Sequence, residues 1–197
     1  MKKKIFVILI SLILQPITNF AVSIEELRSN PAKYAVVREQ PEATTYLEIP
    51  SIESLRYSPP YYTLSAKNYM VLYPYKVIVE GTIIANYDAN HNLQSLCDKV
   101  RQDNQRNPRM SYDDSIKNLI HYLYQNTGMS IRMYNSIWYD FNGRILYTYP
   151  EINAYDKKEY HFTYDYGSPG YQLANFMFYK YYKEYFQLPL PANAPSD

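Results

Sequence analysis

Between Tyr61 and Asp88 the chain alternates apolar and polar residues with a period of two, and no other feature restricts the fold as strongly. Tyr73, Tyr75, Val77, Val79, Ile83, Ala85 and Tyr87 share one parity, while Lys76, Glu80, Thr82, Asn86 and Asp88 hold the other. Successive side chains of a strand point to opposite faces, so the pattern predicts a strand with one buried face. Gly81 breaks it and marks an expected bulge. An earlier strand, about Tyr62 to Leu72, is expected to pair with it through a turn at Tyr73-Pro74.

The same period recurs downstream. Met129, Ile131, Met133, Ile137 and Tyr139 alternate with Ser130, Arg132, Tyr134, Ser136 and Trp138. Asp140-Phe141-Asn142-Gly143 then carries the Asn-Gly signal of a hairpin, and Arg144 to Tyr149 returns as its second arm. Tyr160 to Tyr166 reads as a further alternating strand. Upstream, Thr45 to Tyr57 reads as a first strand with Leu47 and Ile49 on one face. Pro50 within it has no amide proton to give a ladder, which predicts a bulge or a sheet edge.

Two segments have helical period instead. Ser111 to Asn126 begins with a capping serine followed by Asp113 and Asp114, which suit the positive end of a helix dipole. Its stripe of Tyr112, Ile116, Leu119, Ile120 and Leu123 is the kind that packs on a sheet. The second helix opens at Ser168-Pro169 and runs to about Phe186, apolar around most of its circumference. The polar stretch from Asp88 to Pro108 reads as a loop or as a short exposed helix over Leu93 to Gln102. The expected class is therefore α+β, an antiparallel β-sheet packed with two α-helices, the second at the C-terminus.

The ends set the expected organisation. Lys2, Lys3 and Lys4 precede about ten apolar residues, Gln15-Pro16 interrupts them, and Ala21-Val22-Ser23 supplies small residues. This is the pattern of a secretory signal peptide over 1–23, cleaved after Ser23, and the run is too short to span a bilayer. Residues 24–43 read as an N-terminal arm with a short helical turn at Glu25 to Arg28. Residues 44–187 read as a single α+β domain, and the proline-rich 188–197 as a disordered tail. The expected location is outside the cytosol: periplasm, cell surface or beyond. The signal segment is the chain's one expected membrane contact.

Charge and reactive residues narrow the function classes. With 20 basic and 19 acidic residues in 197 there is no electrostatic footprint for nucleic acid. Cys97 is the single cysteine, so no internal disulfide is available. His91, His121 and His161 have no metal-ligand spacing, and no nucleophile elbow or phosphate-binding loop occurs. Gly167-Ser168-Pro169-Gly170 is a helix start rather than a nucleophile. The reading is a non-enzyme without catalytic residues, cofactor or metal. What is unusual is tyrosine, 25 of 197 residues. Tyrosine gives large contact area with a polar tip at low entropic cost, which suits both half-buried strands and binding surfaces. Tyr134, Trp138 and Tyr147 are the candidate ligand contacts, because strand parity turns them outward.

Some of these motifs occur together in a known group. Trp138-Tyr139-Asp140 with the Asn142-Gly143 turn, Gly167-Ser168-Pro169-Gly170-Tyr171 opening an aromatic helix, and Tyr46-Leu47-Glu48-Ile49-Pro50-Ser51-Ile52 upstream resemble the surface-adhesin E-like family. The resemblance lies mainly in residues 44–57 and 129–186, with an insertion around 90–126. It implies a small exported bacterial protein with an antiparallel sheet and a C-terminal helix. It also implies a protein ligand of the host extracellular-matrix type, with a homodimer as a further option. Relatives often carry a lipid-anchoring cysteine and a cysteine pair; this chain has neither. The expected function is thus a cell-envelope or surface binding module. The alternative is a secreted or periplasmic structural or assembly protein with no host ligand. An exposed contiguous tyrosine patch would favour the first, and a fully covered sheet the second.

Overall fold

The computed structural model describes residues 22–149 and 167–187. Seven strands form one antiparallel sheet: β1 (Tyr34–Glu39), β2 (Ala43–Glu48), β3 (Glu53–Ser58), β4 (Tyr61–Leu72), β5 (Val77–Asp88), β6 (Met129–Asp140) and β7 (Ile145–Tyr149). Among the described residues four α-helices accompany it: α1 (Ile24–Ser29), α2 (Leu93–Arg106), α3 (Tyr112–Gln125) and α4 (Pro169–Tyr182). The class is α+β, with α4 near the C-terminus. The expected strand at 160–166, most of the signal segment and the tail at 188–197 lie outside the described residues.

The strands are ordered β1-β2-β4-β5-β6-β7, with β3 also paired to β4. β2 and β3 lie in line along one side of β4, at Asn68–Leu72 and Ser65–Tyr61 respectively. The break between them is a 3₁₀ turn at Ile49–Ser51 with Pro50 inside it, where the sequence placed a bulge or edge. β4 and β5 pair over their whole length, from Tyr61 opposite Asp88 to Leu72 opposite Val77, around a 3₁₀ turn at Tyr73–Tyr75. Residues 34–39, expected as loop within the N-terminal arm, instead form the strand β1 at one end of the sheet. Val36 and Val37 give the segment β-propensity, and the tight Gln40–Ala43 connection pairs it with β2.

The sheet is covered on both faces, at opposite ends. On one face Leu47, Leu64, Ala66, Ile83, Ala85, Tyr87, Met129 and Ile131 pack under α4, which buries Tyr171, Leu173, Ala174, Met177 and Phe178 at helical spacing. On the other, Tyr46, Tyr69, Val71, Ile78 and Tyr139 pack under α1 with Val22, Leu27 and Tyr34. This second core explains why Ile78, which breaks the alternation of β5, is fully buried. Val22 is buried there, and Ser23 caps α1 by accepting from the Glu26 amide at 3.1 Å. A chain cut after Ser23 would lack both.

α4 starts as its sequence indicated. Ser168 Oγ accepts from the Tyr171 amide at 3.2 Å and Pro169 occupies the first turn. Ser168→Ala is expected to cost about 1 kcal/mol, read as a lower urea midpoint. An unchanged midpoint would mean that the cap contributes nothing.

Of the two readings of the polar stretch the helical one holds, and the helix is longer than expected: α2 covers residues 93–106, capped by the Asn92 side chain on the Ser95 amide at 2.9 Å. One expectation is overturned. The α3 stripe does not pack on the sheet: α3 lies against α2, and Ser115 is its one buried residue. The two helices form a hairpin inserted between neighbouring strands β5 and β6. Asp88 N–H donates to Gly128 O at 2.8 Å where the insertion leaves and re-enters the sheet.

Candidate functional site

β6 contains the irregularity that decides which residues share a surface. Glu80 pairs with Ile137, but Thr82 pairs with Tyr134, so Gly81 faces the two residues Asn135 and Ser136. The expected bulge is therefore present at Gly81, with its extra residue in the facing strand. Asn135 takes a left-handed conformation, φ 52°, which asparagine tolerates better than most residues. A side chain at Gly81 would stand 2.7 Å from Met133 Cγ. The bulge reverses parity along β6. Met129, Ile131 and Met133 face α4, whereas Ile137 and Tyr139 face the α1 side.

This corrects the grouping of the candidate contacts. Tyr134, opposite Thr82, lies on the α1 side and is half-buried. Trp138 and Tyr147 are cross-strand partners on the α4 side. They are joined by Tyr149, which was not singled out: its ring lies 6.4 Å from Trp138 and 6.4 Å from Tyr147. Tyr147 is 61% exposed and Tyr149 50%. The parity of β7, which sets 147 and 149 on one face, was the signal available for Tyr149.

The turn builds this rim. Asp140 Oδ1 accepts from the Asn142 and Arg144 amides, both at 2.9 Å, and Gly143 takes φ 85°. β7 is thereby paired to β6, and all five of its residues are exposed, Ile145 and Leu146 among them. Among the described residues no strand lies outside β7. One indole and two phenols in a row offer stacking area and two hydroxyls.

Titratable groups gather on the α1 side instead, in pairs that the sequence did not reveal. Tyr34 donates to Glu26 at 2.9 Å, Tyr69 to Glu48 at 2.8 Å and Tyr139 to Glu80 at 2.8 Å. Lys33 lies 3.5 Å from Glu26 and 3.8 Å from Glu48, and Lys67 lies 3.4 Å from Glu80. Burial pushes the Tyr34 phenol up to about 12, and burial also raises Tyr69 and Tyr139, with the adjoining glutamates adding to it. These phenols are fixed donors that satisfy half-buried carboxylates, not acids poised for proton transfer.

The remaining chemistry is sparse. His91 Nδ1 meets Asp88 Oδ2 at 3.1 Å and His121 Nε2 meets Gln125 Nε2 at 2.8 Å, while His161 lies outside the described residues. Cys97 is a free, half-buried thiol on α2. Among the described residues no cluster of three His, Cys, Asp or Glu side chains could hold a metal. Two concavities of about 330 and 340 Å³ flank the Tyr61-Tyr62 end of β4. One is lined by Tyr62, Leu93, Phe178 and Tyr185, the other by Arg56, Tyr61, Asn86 and Asp88. Both are at the small end for ligand pockets, so the β6–β7 rim is the most distinctive exposed surface. No family model matches this chain, and neither a curated protein nor a solved structure matches it.

Proposed function

We propose that this chain is an exported bacterial cell-envelope or surface protein that binds a protein ligand without catalysing a reaction. Its contact surface is the rim of Trp138, Tyr147 and Tyr149. The observation that carries the reading is the aromatic row, half-buried Trp138 beside exposed Tyr147 and Tyr149, at a strand, β7, that is exposed throughout and is the last of the sheet among the described residues. Aromatic anchors of this kind dominate binding energetics, and an open strand edge can take up an extended segment of a partner. The resemblance to surface adhesins adds the ligand class, a host extracellular-matrix protein. The leader adds the compartment.

The assembly or structural alternative is favoured by a different observation. Tyr34, Tyr69, Tyr87 and Tyr139 are buried, so much of the tyrosine content serves the two cores. The readings separate in one assay, binding of the purified protein to a panel of immobilised extracellular-matrix proteins. On the adhesion reading one panel member is bound, and Tyr147→Ala with Tyr149→Ala weakens it about 30-fold, the loss of roughly 2 kcal/mol of anchor. Tyr134→Ala, on the other face, leaves the affinity within about twofold. Absence of binding to any member, or indifference to the double substitution, would leave the assembly reading standing. Surface proteolysis of intact cells tests location independently, since a protein confined to the periplasm cannot be an adhesin.

A further inference from the structure

The concavity of about 330 Å³ beside the Tyr62 end of β4 is walled by aromatic rings and by the first turn of α2. Two of those rings are held by other aromatics. Tyr62 makes edge contacts with Tyr57 at 5.5 Å and with Phe178 and Tyr182 at 5.6 Å. Tyr179 stacks parallel on the Tyr185 ring at 4.4 Å, while Tyr185 itself is 43% exposed. Burial first, then Tyr57 and the carboxylate of Glu184, raise the Tyr62 phenol, and Glu184 lines the same concavity. Rings fixed in this way give stacking area without the entropic cost of ordering them.

Donors and acceptors are both left over on its walls. A helix leaves its first amides without intrahelical partners. In α2 the Asn92 amide donates to Ala89 O at 3.3 Å and the Ser95 amide to Asn92 Oδ1 at 2.9 Å. That leaves the amides of Leu93 and Gln94, and both residues line the concavity. On the acceptor side Gln187, also in the lining, is 2% exposed, and its Oε1 has no hydrogen-bond partner. Its Nε2 donates to His91 O and Thr127 O, so the amide cannot turn over to exchange the two atoms. A buried carbonyl oxygen without a donor costs free energy, and the concavity that Gln187 lines is where a ligand hydroxyl supplies one.

We propose that this concavity binds one neutral pyranose ring of a sugar, stacked on an aromatic wall and hydrogen-bonded at its edge to Gln187, Glu184 and the α2 amides. Charge selects the ligand class. Glu184 repels an anion, and no lysine or arginine stands among the described lining residues to offset it. The positive end of the α2 dipole, on the same wall, disfavours a cation. A hydroxyl both donates and accepts, so a polyol gives its protons to Gln187 Oε1 and Glu184 and its lone pairs to the two amides. An apolar ligand would leave all of them unpaired. The C–H face of a pyranose is apolar and weakly positive, which suits the negative face of a phenol. The volume, at the low end for small-molecule sites, admits one sugar residue rather than a chain. The site is separate from the β6–β7 rim. Tyr62 stands opposite Tyr87 and Trp138 opposite Val79, eight residues or about 27 Å apart along β5.

The test is amide NMR of the protein expressed from its full-length sequence, titrated with glucose, galactose, mannose and N-acetylglucosamine. Glucosamine and glucuronate serve as the cationic and anionic counterparts. One neutral sugar is expected to bind with a dissociation constant on the order of 1 mM, moving the Leu93 and Gln94 amide signals most. The charged sugars are expected to bind at least about tenfold more weakly. Tyr185→Ala should weaken binding at least about tenfold, whereas Tyr147→Ala with Tyr149→Ala should leave it unchanged, so the rim and this site fail separately. Methyl glycosides that bind as well as the free sugars would place the ring at the end of a glycan. A requirement for the free anomeric hydroxyl would make the ligand a free sugar. No saturable shift with any neutral sugar at about 50 mM would overturn the proposal. So would shifts centred on β6 and β7, a charged sugar bound more tightly than the neutral ones, or indifference to Tyr185→Ala.

Discussion

Replacing Asn175 by leucine is expected to destabilise the protein by about 4 kcal/mol, although the volume hardly changes. After α4 ends at Lys183, in the left-handed conformation, the chain folds back and packs Phe186 against both Tyr87 and Phe178, with ring centroids at 5.3 and 5.2 Å. The next residue, Gln187, is buried with its main chain facing Asn175. The Asn175 amide donates to Gln187 O and accepts from Gln187 N, both at 2.9 Å. Leucine would leave a buried amide proton and a buried carbonyl without partners, at roughly 1–3 kcal/mol each. The cost corresponds to a fall in melting temperature of about 8–16 °C for a domain of this size. Gln187→Ala should be costly too, since Gln187 Nε2 donates to His91 O at 2.7 Å and Thr127 O at 2.9 Å. The two substitutions should combine to less than their sum, because they dismantle one network. A loss below about 1 kcal/mol for Asn175→Leu would show that the fold-back is dispensable.

Alkali is expected to unfold this protein cooperatively, through the tyrosines that folding buries. Burial raises the phenols of Tyr34, Tyr69, Tyr87 and Tyr139 above their ordinary value, Tyr34 to about 12. Tyrosine in an unfolded chain ionises near pH 10. Below that pH both states keep these protons, and the stability that the phenols contribute is complete. Above it the unfolded chain releases protons that the native state retains. Stability therefore falls as pH rises, until the native phenols ionise in turn. Each such group adds about 1.4 kcal/mol per pH unit to the slope, so four together add about 5. A domain of ordinary stability would be exhausted near pH 12. Loss of far-ultraviolet circular dichroism should coincide with a late, steep rise in tyrosinate absorbance that belongs to the buried phenols. Smooth ionisation of every tyrosine near pH 10 with secondary structure intact would contradict the buried assignments.

What could be read from residues alone tracks how local the determining physics is. The β4–β5 hairpin, the Asp140–Gly143 turn, the extent of α3 and the start of α4 were legible because alternation, Asn-Gly chemistry and serine capping act within a few residues. β1 was not, since Tyr34 to Glu39 becomes a strand by pairing with β2 and by the burial of Tyr34 against Tyr69. The length of α2 was obscured by a polar sequence whose apolar content is little more than Leu93, Leu96 and Val100. The direction of the α3 stripe was misread because period reveals that a helix has an apolar face, not what lies opposite it. At the candidate rim, alternation suggested Trp138 and Tyr147. It failed for Tyr134, since one inserted residue in β6 reverses every side chain beyond it. The tyrosine–carboxylate pairs were invisible for a related reason. Glu48 and Glu80 stand on positions that read as solvent-facing until α1 covers that side.

The placement of Gln187 has a mechanical consequence. Its side-chain amide grips the carbonyls of His91 and Thr127, one on each root of the inserted hairpin, and so acts as a gatepost. The pose of the outward helical arm is therefore governed by a residue distant in sequence, at the close of the terminal fold-back. Loosening that grip would let the arm swing while leaving the sheet whole.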